Sequence, residues 1–482
     1  MKNLLLSLLL LCSLQGMAQP DTIPFRQCQF EWHVRPHFDY SQTLVTKLFL
    51  CNALYDGDYM NRYKMRDNGK QEVCMTLEQA LEAIKGMDAI TLGMPKIVYL
   101  VGWQYLGHDS KYPAFFEGND AVKRPQDKDA LESIKWLMRE ARHHHTTVSL
   151  HVNAFDCYDD SPLFDTYLKA DVLAKDSAGQ LIHGDYGYKI SYTAEWNAGL
   201  FQQRFDKLLS ILPIQKQHTL HIDAFHSQVP SPFINEDGEY DINFLNPISP
   251  YHGFTREQDI ATQQKMIKYL GDKGVDITSE FYPDEQLFDG YLPWTWHYNI
   301  DHPLTHTAQQ SAGGRAGEDM RCFGWNAWGE DSFRGAATLD DGFDDFKDKF
   351  CLRTLVSNYL NRLQRQAYVT ETPYGPQAIF AEGVKSCCLD EMPYVWQDDN
   401  VLASDGDVLM PALWKGKRTA VVYSHKGCSQ RTWTLPRELK VGKKVKAFVI
   451  TAHGRQPFTD LSLQDRQLTI TLQPHQMVEL EF

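Results

Sequence analysis

The sequence predicts an α/β protein whose main unit is a (β/α)8 barrel of the TIM type, followed by a C-terminal antiparallel β-domain. Between about residues 75 and 300, amphipathic helical stretches alternate with short runs of β-branched and apolar residues, as in parallel βα units. After about residue 394, strand-like runs follow one another without helices between them. A doubly wound open sheet is the alternative, but no glycine-rich phosphate loop follows the first strand.

Four helix–strand pairs make up the predicted repeat. Each helix carries an apolar stripe, such as Ala130, Ile134 and Leu137 in the second one. In chain order the pairs are Met75–Gly86 with Lys96–Val101, Asp127–His143 with Thr147–Val152, Ala198–Leu212 with Thr219–Asp223, and Arg256–Lys273 with Val275–Glu280. The barrel is then expected to continue through Tyr291–Trp296, Arg321–Trp325 and a helix over Phe343–Arg365. Upstream of the repeat, only Glu31–Arg35 has the pattern of a strand.

These patterns divide the chain into four segments. Residues 1–18 have the pattern of a secretory signal peptide, because Lys2 precedes the short apolar run Leu4–Leu14 and small residues follow it. Residues 19–85 are expected to lead into the barrel of residues 86–394, and residues 395–482 to form a β-sandwich-like domain. We therefore expect an exported protein, periplasmic or secreted, without a membrane span.

Composition restricts the partners of the protein. The chain carries 62 Asp and Glu against 48 Lys and Arg, a formal charge of −14, which disfavours nucleic acid and other polyanions. Aromatic residues make up 12% of the chain, which suits both stacking on sugar rings and ordinary core packing. The ten cysteines include no CxxC pair, so a zinc knuckle is not expected. We expect no cofactor, and leave only a structural calcium ion open.

Two carboxylates end neighbouring strands of the predicted barrel. Asp223 and Glu280 are the last residues of their strands, and side-chain alternation directs both into the barrel mouth. Glycoside hydrolysis needs such a pair, one ionised carboxylate beside the anomeric carbon and one protonated acid beside the leaving oxygen. Structural carboxylates held by Arg, Lys or backbone groups explain the pattern equally well.

Polar residues also follow the first two strands. His108 and Asp109 lie in one loop, where they suit hydrogen bonding to vicinal hydroxyls or a metal-binding pair. His151 and Asn153 share a face at the end of the next strand. The structural alternatives are a loop stabilised by an Asp turn and a satisfied polar pair in the barrel core.

Aromatic residues crowd the later strand ends, where their rings suit the C–H faces of sugars or the protein core. The candidate stacking residues are Tyr282, Trp294, Trp296 and Trp325.

The candidate residues stand in four short motifs: Gly107-His108-Asp109-Ser110, His151-Val152-Asn153, Ile222-Asp223 and Ser279-Glu280-Phe281. Taken as a set, these motifs resemble the catalytic barrel of glycoside hydrolase family 101, the endo-α-N-acetylgalactosaminidases, and the related family 129 α-N-acetylgalactosaminidases. The resemblance extends over about residues 90–330. It implies a retaining mechanism with Asp223 as nucleophile and Glu280 as general acid/base. It also implies that His108, Asp109 and Asn153 contact the sugar in the −1 subsite.

The resemblance leads to the hypothesis of an exported retaining hydrolase acting on α-linked galacto-configured sugars. Its first candidate substrates are α-GalNAc or Galβ1-3GalNAc on O-glycans of the mucin kind. An α-galactosidase and a non-catalytic glycan-binding protein are the alternatives. A metal-dependent hydrolase using His108, Asp109, His151 and Asp223 is disfavoured, because these residues lack a recognised ligand spacing.

Overall fold

Two units make up the part of the chain that the structure describes, a parallel α/β unit and a C-terminal antiparallel β-domain. The structure is a computed structural model, and it describes residues 22–24, 31–55, 67–184, 187–223, 225, 228–229, 233–234, 240–241, 246–279, 290–294, 327–328, 337–369, 372–375, 377–390 and 392–482. None of the helices in these ranges combines the length and apolarity that a membrane crossing requires.

Parallel strands form the central sheet of the first unit. They are β1 (Leu44–Phe49), β2 (Lys96–Val101), β3 (Thr146–Asn153), β4 (Thr219–Asp223), β5 (Asp276–Ser279) and β6 (Ala327–Trp328). Their order across the sheet is β5-β4-β3-β2-β1-β6, so the last of these strands lies beside the first. A closed barrel has this neighbour relation. The sheet is not seen to close within the described residues, and the eight-stranded barrel stays a prediction.

Helices pack on one face of this sheet. The longer ones are α1 (Leu77–Ile90), α2 (Ala130–Glu140), α3 (Leu200–Ile211), α4 (Arg256–Gly271) and α5 (Ala337–Lys349), and α6 (Leu355–Leu360) follows α5 through the π turn Phe350–Thr354. Thr76 and Thr255 begin α1 and α4 with capping boxes, in which Thr and Gln side chains each bond a backbone amide. The single helix predicted over 343–365 is therefore two helices joined by a π turn, and it gives way to a strand at residue 365.

Side chains of the parallel strands alternate between the helical core and the opposite face. Leu100 and Leu220 belong to the main hydrophobic core with the helices. Tyr99, one residue earlier in β2, points away from that core and is hydrogen-bonded to Thr219 (2.5 Å) and Thr278 (3.0 Å). Asp223 has the parity of Thr219, so alternation places its carboxyl group on this inner face.

The start of the sheet differs from the prediction. β1 lies inside the segment 19–85 and is buried along its whole length, so the sheet begins before residue 86. Glu31–Arg35, predicted as a strand, is irregular. The amides of His33 and Val34 instead both donate to the carbonyl oxygen of Gly290, at 2.9 and 3.0 Å, which a strand ladder would not allow.

The C-terminal unit consists of antiparallel strands, as predicted. The larger sheet contains, in spatial order, Thr22–Pro24, Arg365–Val369, Gln377–Phe380, Val384–Leu389, Met392–Gln397, Asn400–Ser404, Asp407–Pro411, Thr419–Ser424, Gln476–Glu481, Lys446–Thr451 and Gly454–Phe458. The smaller sheet contains Cys428–Thr434, Gln467–Leu472 and Leu461–Gln464. The larger sheet begins at residue 365, before the predicted boundary at 395, and it also takes in residues 22–24.

The larger sheet packs on both of its faces. Met410 belongs to the main core, which it shares with the helices of the first unit. Leu409, the preceding residue, packs on the opposite face with Trp433 and Ile470 of the smaller sheet. Two antiparallel sheets therefore pack face to face in this part of the chain.

Shorter elements lie between the main strands and helices. A hairpin follows β1, and further short helices and strands lie in the loops: Cys51–Tyr55 with Asp67–Val73, Asp156–Cys157 with Gly187–Lys189 and His183–Gly184, Gln228–Val229 with Asn246–Pro247, Phe233–Ile234 with Tyr240–Asp241, and the helices Phe164–Lys169 and Tyr192–Ala198.

A buried ion pair joins α3 to the short helix before it. Nη2 of Arg204 lies 2.7 Å from Oε1 of Glu195, and both side chains are buried. The hydroxyl group of Tyr167 donates to the same carboxylate (2.5 Å). Arg204 also donates to the carbonyl oxygen of Ala154 (2.8 Å), directly after β3. The pair therefore supports the strand end from which candidate site residues project.

We expect Arg204→Met to lower the free energy of unfolding by about 3–5 kcal/mol, because it leaves the Glu195 carboxyl group buried without its cation. Urea unfolding would measure this loss. Lys268→Met is the matched control, since Lys268 forms an exposed pair with Asp272 that is worth at most about 1 kcal/mol. Equal losses in the two variants would contradict a structural role for the buried pair.

Candidate active site

The loop after β2 lies tightly against the hairpin after β1. Gly102 and Gly107 have φ angles of 73° and 124°, and a Cβ atom on either would clash with the carbonyl group of Cys51. The amide of His108 donates to that same carbonyl oxygen (2.9 Å). Because only glycine combines this backbone geometry with so close an approach, the two glycines fix the positions of His108 and Asp109.

Three side chains from separate strand ends converge beside this loop. They are His108 after β2, His151 on β3 and Asp223 at the end of β4, and one donor atom from each lies within 4.8 Å of the others. Nε2 of His151 is 3.6 Å from Oδ2 of Asp223. Nε2 of His108 is 3.4 Å from Oδ1 of Asp109. The structure thus brings together four of the residues that the sequence selected.

The imidazole rings of His108 and His221 lie on either side of His151 in tilted contacts. Its ring centroid lies 5.5 Å from that of His108 and 5.3 Å from that of His221. The side chain of His151 is only 1% exposed, whereas that of Asp223 is 18% exposed. Asp223 is therefore a carboxylate that solvent can reach, supported by a buried histidine.

Asn153 lies beside Asp223 in the sheet register but bonds its own loop. Its Oδ1 accepts hydrogen bonds from the amides of Phe155 (2.7 Å) and Asp156 (2.9 Å). Its Nδ2 donates to Oδ2 of Asp156 (2.8 Å), whose other oxygen accepts from Lys189 (2.6 Å). In this structure Asn153 shapes the turn after β3, and a sugar contact by this residue stays a prediction.

Three further polar residues belong to the chain around His108: Ser110 of the Gly107-His108-Asp109-Ser110 motif, and Gln104 and Tyr112, which the sequence analysis did not select. Burial raises the pKa of Tyr112 well above its usual value, and the charges of Asp109 and Asp223 raise that pKa further. The buried Ser110 hydroxyl lacks a hydrogen bond of normal geometry to any residue that the structure describes, and the buried Gln104 amide interacts with the Tyr112 hydroxyl. Buried polar groups are normally paired, so the Ser110 hydroxyl suits a polar ligand or water. The only signal for Gln104 and Tyr112 in the sequence is their place near His108 in the chain.

Trp294, predicted to stack on a sugar, is a core residue in the structure. It is buried and packs with Tyr40, Val45, Ile97 and Tyr99. Val45 and Ile97 stand near the beginnings of β1 and β2, at the opposite end from the strand ends that carry the site. An apolar layer inside the sheet, rather than a ligand surface, therefore explains this tryptophan.

The other selected residues, Glu280, Tyr282, Trp296 and Trp325, lie outside the described residues. The strand before Glu280 is described up to Ser279, and its Thr278 faces inward, because it is hydrogen-bonded to Nδ1 of His221 (3.0 Å) on β4.

Polar side chains at the carboxyl ends of parallel strands are the usual arrangement of an α/β enzyme. A comparison of the sequence with protein-family models gives a more specific similarity. A family model described as endo-α-N-acetylgalactosaminidase matches residues 65–237, a range that includes His108, His151 and Asp223. The resemblance predicted from the sequence is thereby confirmed over just over a third of the chain.

The similarities to solved structures cover more of the chain than the family match does, but their sequence identities are low. No curated protein matches the sequence. An α-N-acetylgalactosaminidase from Bifidobacterium bifidum has 12% sequence identity and a TM-score of 0.48 over 73% of this chain and 57% of its own. A family 36 α-galactosidase from Geobacillus stearothermophilus has 10% identity and a TM-score of 0.40, covering 93% and 55% of the two chains. An α-amylase from Geobacillus thermoleovorans has 10% identity and a TM-score of 0.43, covering 92% and 100%.

These structural likenesses are too distant to carry an argument about function. This chain also spans only 57% of the length of the Bifidobacterium enzyme. The activity therefore has to be argued from the site and from the family match.

Proposed function

We propose that this chain is an exported, retaining glycoside hydrolase that cleaves α-linked galacto-configured sugars. The first candidate substrates are α-GalNAc and Galβ1-3GalNAc on O-glycans. The family match over residues 65–237 supports the class of reaction. The observation that carries the proposal is the solvent-accessible carboxylate of Asp223, at a parallel strand end beside His108 and His151.

In the proposed mechanism, Asp223 attacks the anomeric carbon and forms a covalent glycosyl-enzyme. Glu280 protonates the leaving oxygen, and then removes a proton from the water that releases the sugar. The buried ring of His151 positions the nucleophile, since its Nε2 lies 3.6 Å from the carboxylate. Tyr112 keeps its proton at neutral pH, because burial raises the pKa of its phenol, so it remains a hydrogen-bond donor beside the two aspartates.

His108 and Asp109 would bind the hydroxyl groups of the sugar. A carboxylate accepts two hydrogen bonds and an imidazole adds a donor, which together match two vicinal hydroxyls. Asp109 is buried, and its φ angle of 57° belongs to a tight loop held by Gly102 and Gly107. A group fixed in this way loses little entropy when the sugar binds.

A retaining mechanism requires the carboxyl groups of the two acids to lie close together. We expect the carboxyl groups of Asp223 and Glu280 to lie roughly 5–6 Å apart, whereas roughly 9 Å would indicate inversion. A crystal structure with a bound sugar would measure this separation.

The proposal also includes a closed eight-stranded barrel, with two further strands between β5 and β6, and export directed by residues 1–18.

A panel of nitrophenyl α-GalNAc, nitrophenyl α-galactose and a core-1 disaccharide substrate tests the proposed activity. Hydrolysis of the GalNAc or core-1 substrates with retained configuration is the expected result. Preference for the galactose substrate would instead identify an α-galactosidase. Binding without hydrolysis of any substrate would identify a glycan-binding protein.

One observation favours a second candidate, a metal-dependent hydrolase. His108, His151 and Asp223 bring two imidazoles and a carboxylate within 4.8 Å, and this donor set suits zinc. Under the glycosidase proposal, we expect full activity after exhaustive dialysis against a chelator, because no step requires a Lewis acid. Activity that disappears on chelation and returns with added Zn²⁺ would favour the metal-dependent reaction.

We expect Asp109→Asn to lower kcat/KM by about 30- to 1,000-fold, roughly 2–4 kcal/mol, because a charge-assisted hydrogen bond to the sugar is lost. Asparagine tolerates the left-handed backbone of this position, so circular dichroism and thermal unfolding should stay unchanged. Asp165→Asn, at an exposed position in the helix Phe164–Lys169, is the matched control and should retain full activity. If the Asp109→Asn protein unfolds, Asp109 has a structural role and not the proposed role in sugar binding.

A further inference from the structure

A second histidine–carboxylate cluster lies where α5 meets the antiparallel β-domain, and it shares no residue with the candidate active site. Asp348 is near the end of α5, His425 follows the strand Thr419–Ser424, and His475 precedes the strand Gln476–Glu481. These two strands pair antiparallel, so the histidines stand side by side at one end of the pair. Their ring centroids are 4.6 Å apart, and the amide of His475 donates to the carbonyl oxygen of His425 (3.3 Å).

The donor atoms of the cluster surround one point. Nδ1 of His475 lies 2.6 Å and Nδ1 of His425 lies 3.7 Å from Oδ2 of Asp348, and one donor atom from each residue is within 4.8 Å of the others. Tetrahedral zinc with bonds of about 2.0–2.1 Å keeps its ligand atoms roughly 3.4 Å apart. The two observed distances bracket that spacing, so small side-chain rotations would bring all three donors to an ion.

The carboxylate is oriented by a buried tyrosine. The hydroxyl group of Tyr423 donates to Oδ1 of Asp348 (2.7 Å), which leaves Oδ2 directed at the histidines. Metal sites commonly contain such an outer hydrogen bond, which fixes a ligating carboxylate.

We propose that Asp348, His425 and His475 form a binding site for a divalent transition-metal ion of the zinc class, with water completing the coordination. The side chains of His425 and His475 are 29% and 47% exposed, so an ion can enter from solvent. Two imidazoles with one carboxylate favour zinc over calcium or magnesium, which prefer oxygen ligands. The ion would link α5 of the first unit to two strands of the β-domain, which is a stabilising rather than a catalytic role.

Calorimetric titration of the full-length, chelator-treated protein with ZnCl2 tests this site. We expect His425→Ala, His475→Ala and Asp348→Asn each to remove the same zinc equivalent, and zinc to raise the Tm of the wild-type protein but not of these variants. Tyr423→Phe should weaken zinc binding by roughly tenfold, because the carboxylate loses its orienting donor. CaCl2 and MgCl2 should not occupy this site or compete with zinc for it.

Two control variants of other histidines test whether the bound zinc belongs to this site. His453→Ala, at an exposed turn of the same β-domain, should bind zinc as the wild-type protein does. His108→Ala should also retain this equivalent, because any zinc lost there belongs to the candidate active site. Absence of zinc binding by the wild-type protein, or unchanged binding in folded His425→Ala and His475→Ala, would overturn the proposal.

Discussion

Asp223→Ala is expected to abolish turnover of every α-linked substrate, with a loss in kcat of about 10³-fold or more, because the covalent intermediate cannot form without its carboxylate. The neighbouring side chains offer no replacement. His151 is almost fully buried, and Asp109 is held in the loop after β2. Steady-state assays and the absence of a nitrophenolate burst would record this loss.

Asp165→Ala is a control for the substitution itself, since Asp165 is an exposed aspartate in the helix Phe164–Lys169. The Asp223→Ala protein should still fold and bind sugar. A burst of nitrophenolate from this variant would show that another residue is the nucleophile. Rescue of Asp223→Ala by azide, without rescue of Glu280→Ala, would reverse the two roles.

Glu280→Ala is expected to be selective for the leaving group. A nitrophenolate leaves without a proton, so activated substrates should still form the glycosyl-enzyme, and the missing base should slow its hydrolysis. Unactivated glycans should lose about 10²–10⁴-fold in rate, because their leaving oxygen needs the acid. The measurement is a comparison of pre-steady-state and steady-state rates on the two kinds of substrate.

External azide distinguishes the base from the nucleophile. Azide needs no deprotonation, so it should restore part of the rate of Glu280→Ala and yield a glycosyl azide of retained configuration. An inverted azide product from this variant would be incompatible with Glu280 as the acid/base. An equal loss on activated and unactivated substrates would also contradict the assignment.

The strands that carry the site could be predicted because their signal is local. β2 and β4 occupy the predicted residues, and both are short apolar runs bounded by polar or turn residues. β1 was not predicted, because Thr46 and Lys47 interrupt its apolar pattern although both are buried. Their burial depends on pairing with β2, more than forty residues away, and a local pattern does not contain that information.

The difference between local patterns and long-range contacts also explains which residues of the candidate site could be predicted from the sequence. His108, His151 and Asp223 could be selected because each stands at or just after a strand end, where the parallel sheet brings them together. Tyr112 could not, because its approach to Asp109 and Asp223 depends on the path of a loop. The sequence could not decide between the two roles of Trp294, because a tryptophan suits both a sugar surface and the core layer in which it lies.

The pairing of β1 with β6 has a consequence for biosynthesis. Val45 pairs with Ala327. One edge of β1 therefore stays unpaired during synthesis until β6, which leaves the ribosome much later, is available. Contacts between such distant residues form slowly, since a long loop has to close first. During that interval the nascent chain carries an unprotected strand edge, a template for intermolecular pairing. Fragments that end before residue 327 should therefore aggregate, and the complete chain should depend most on chaperones before β6 emerges.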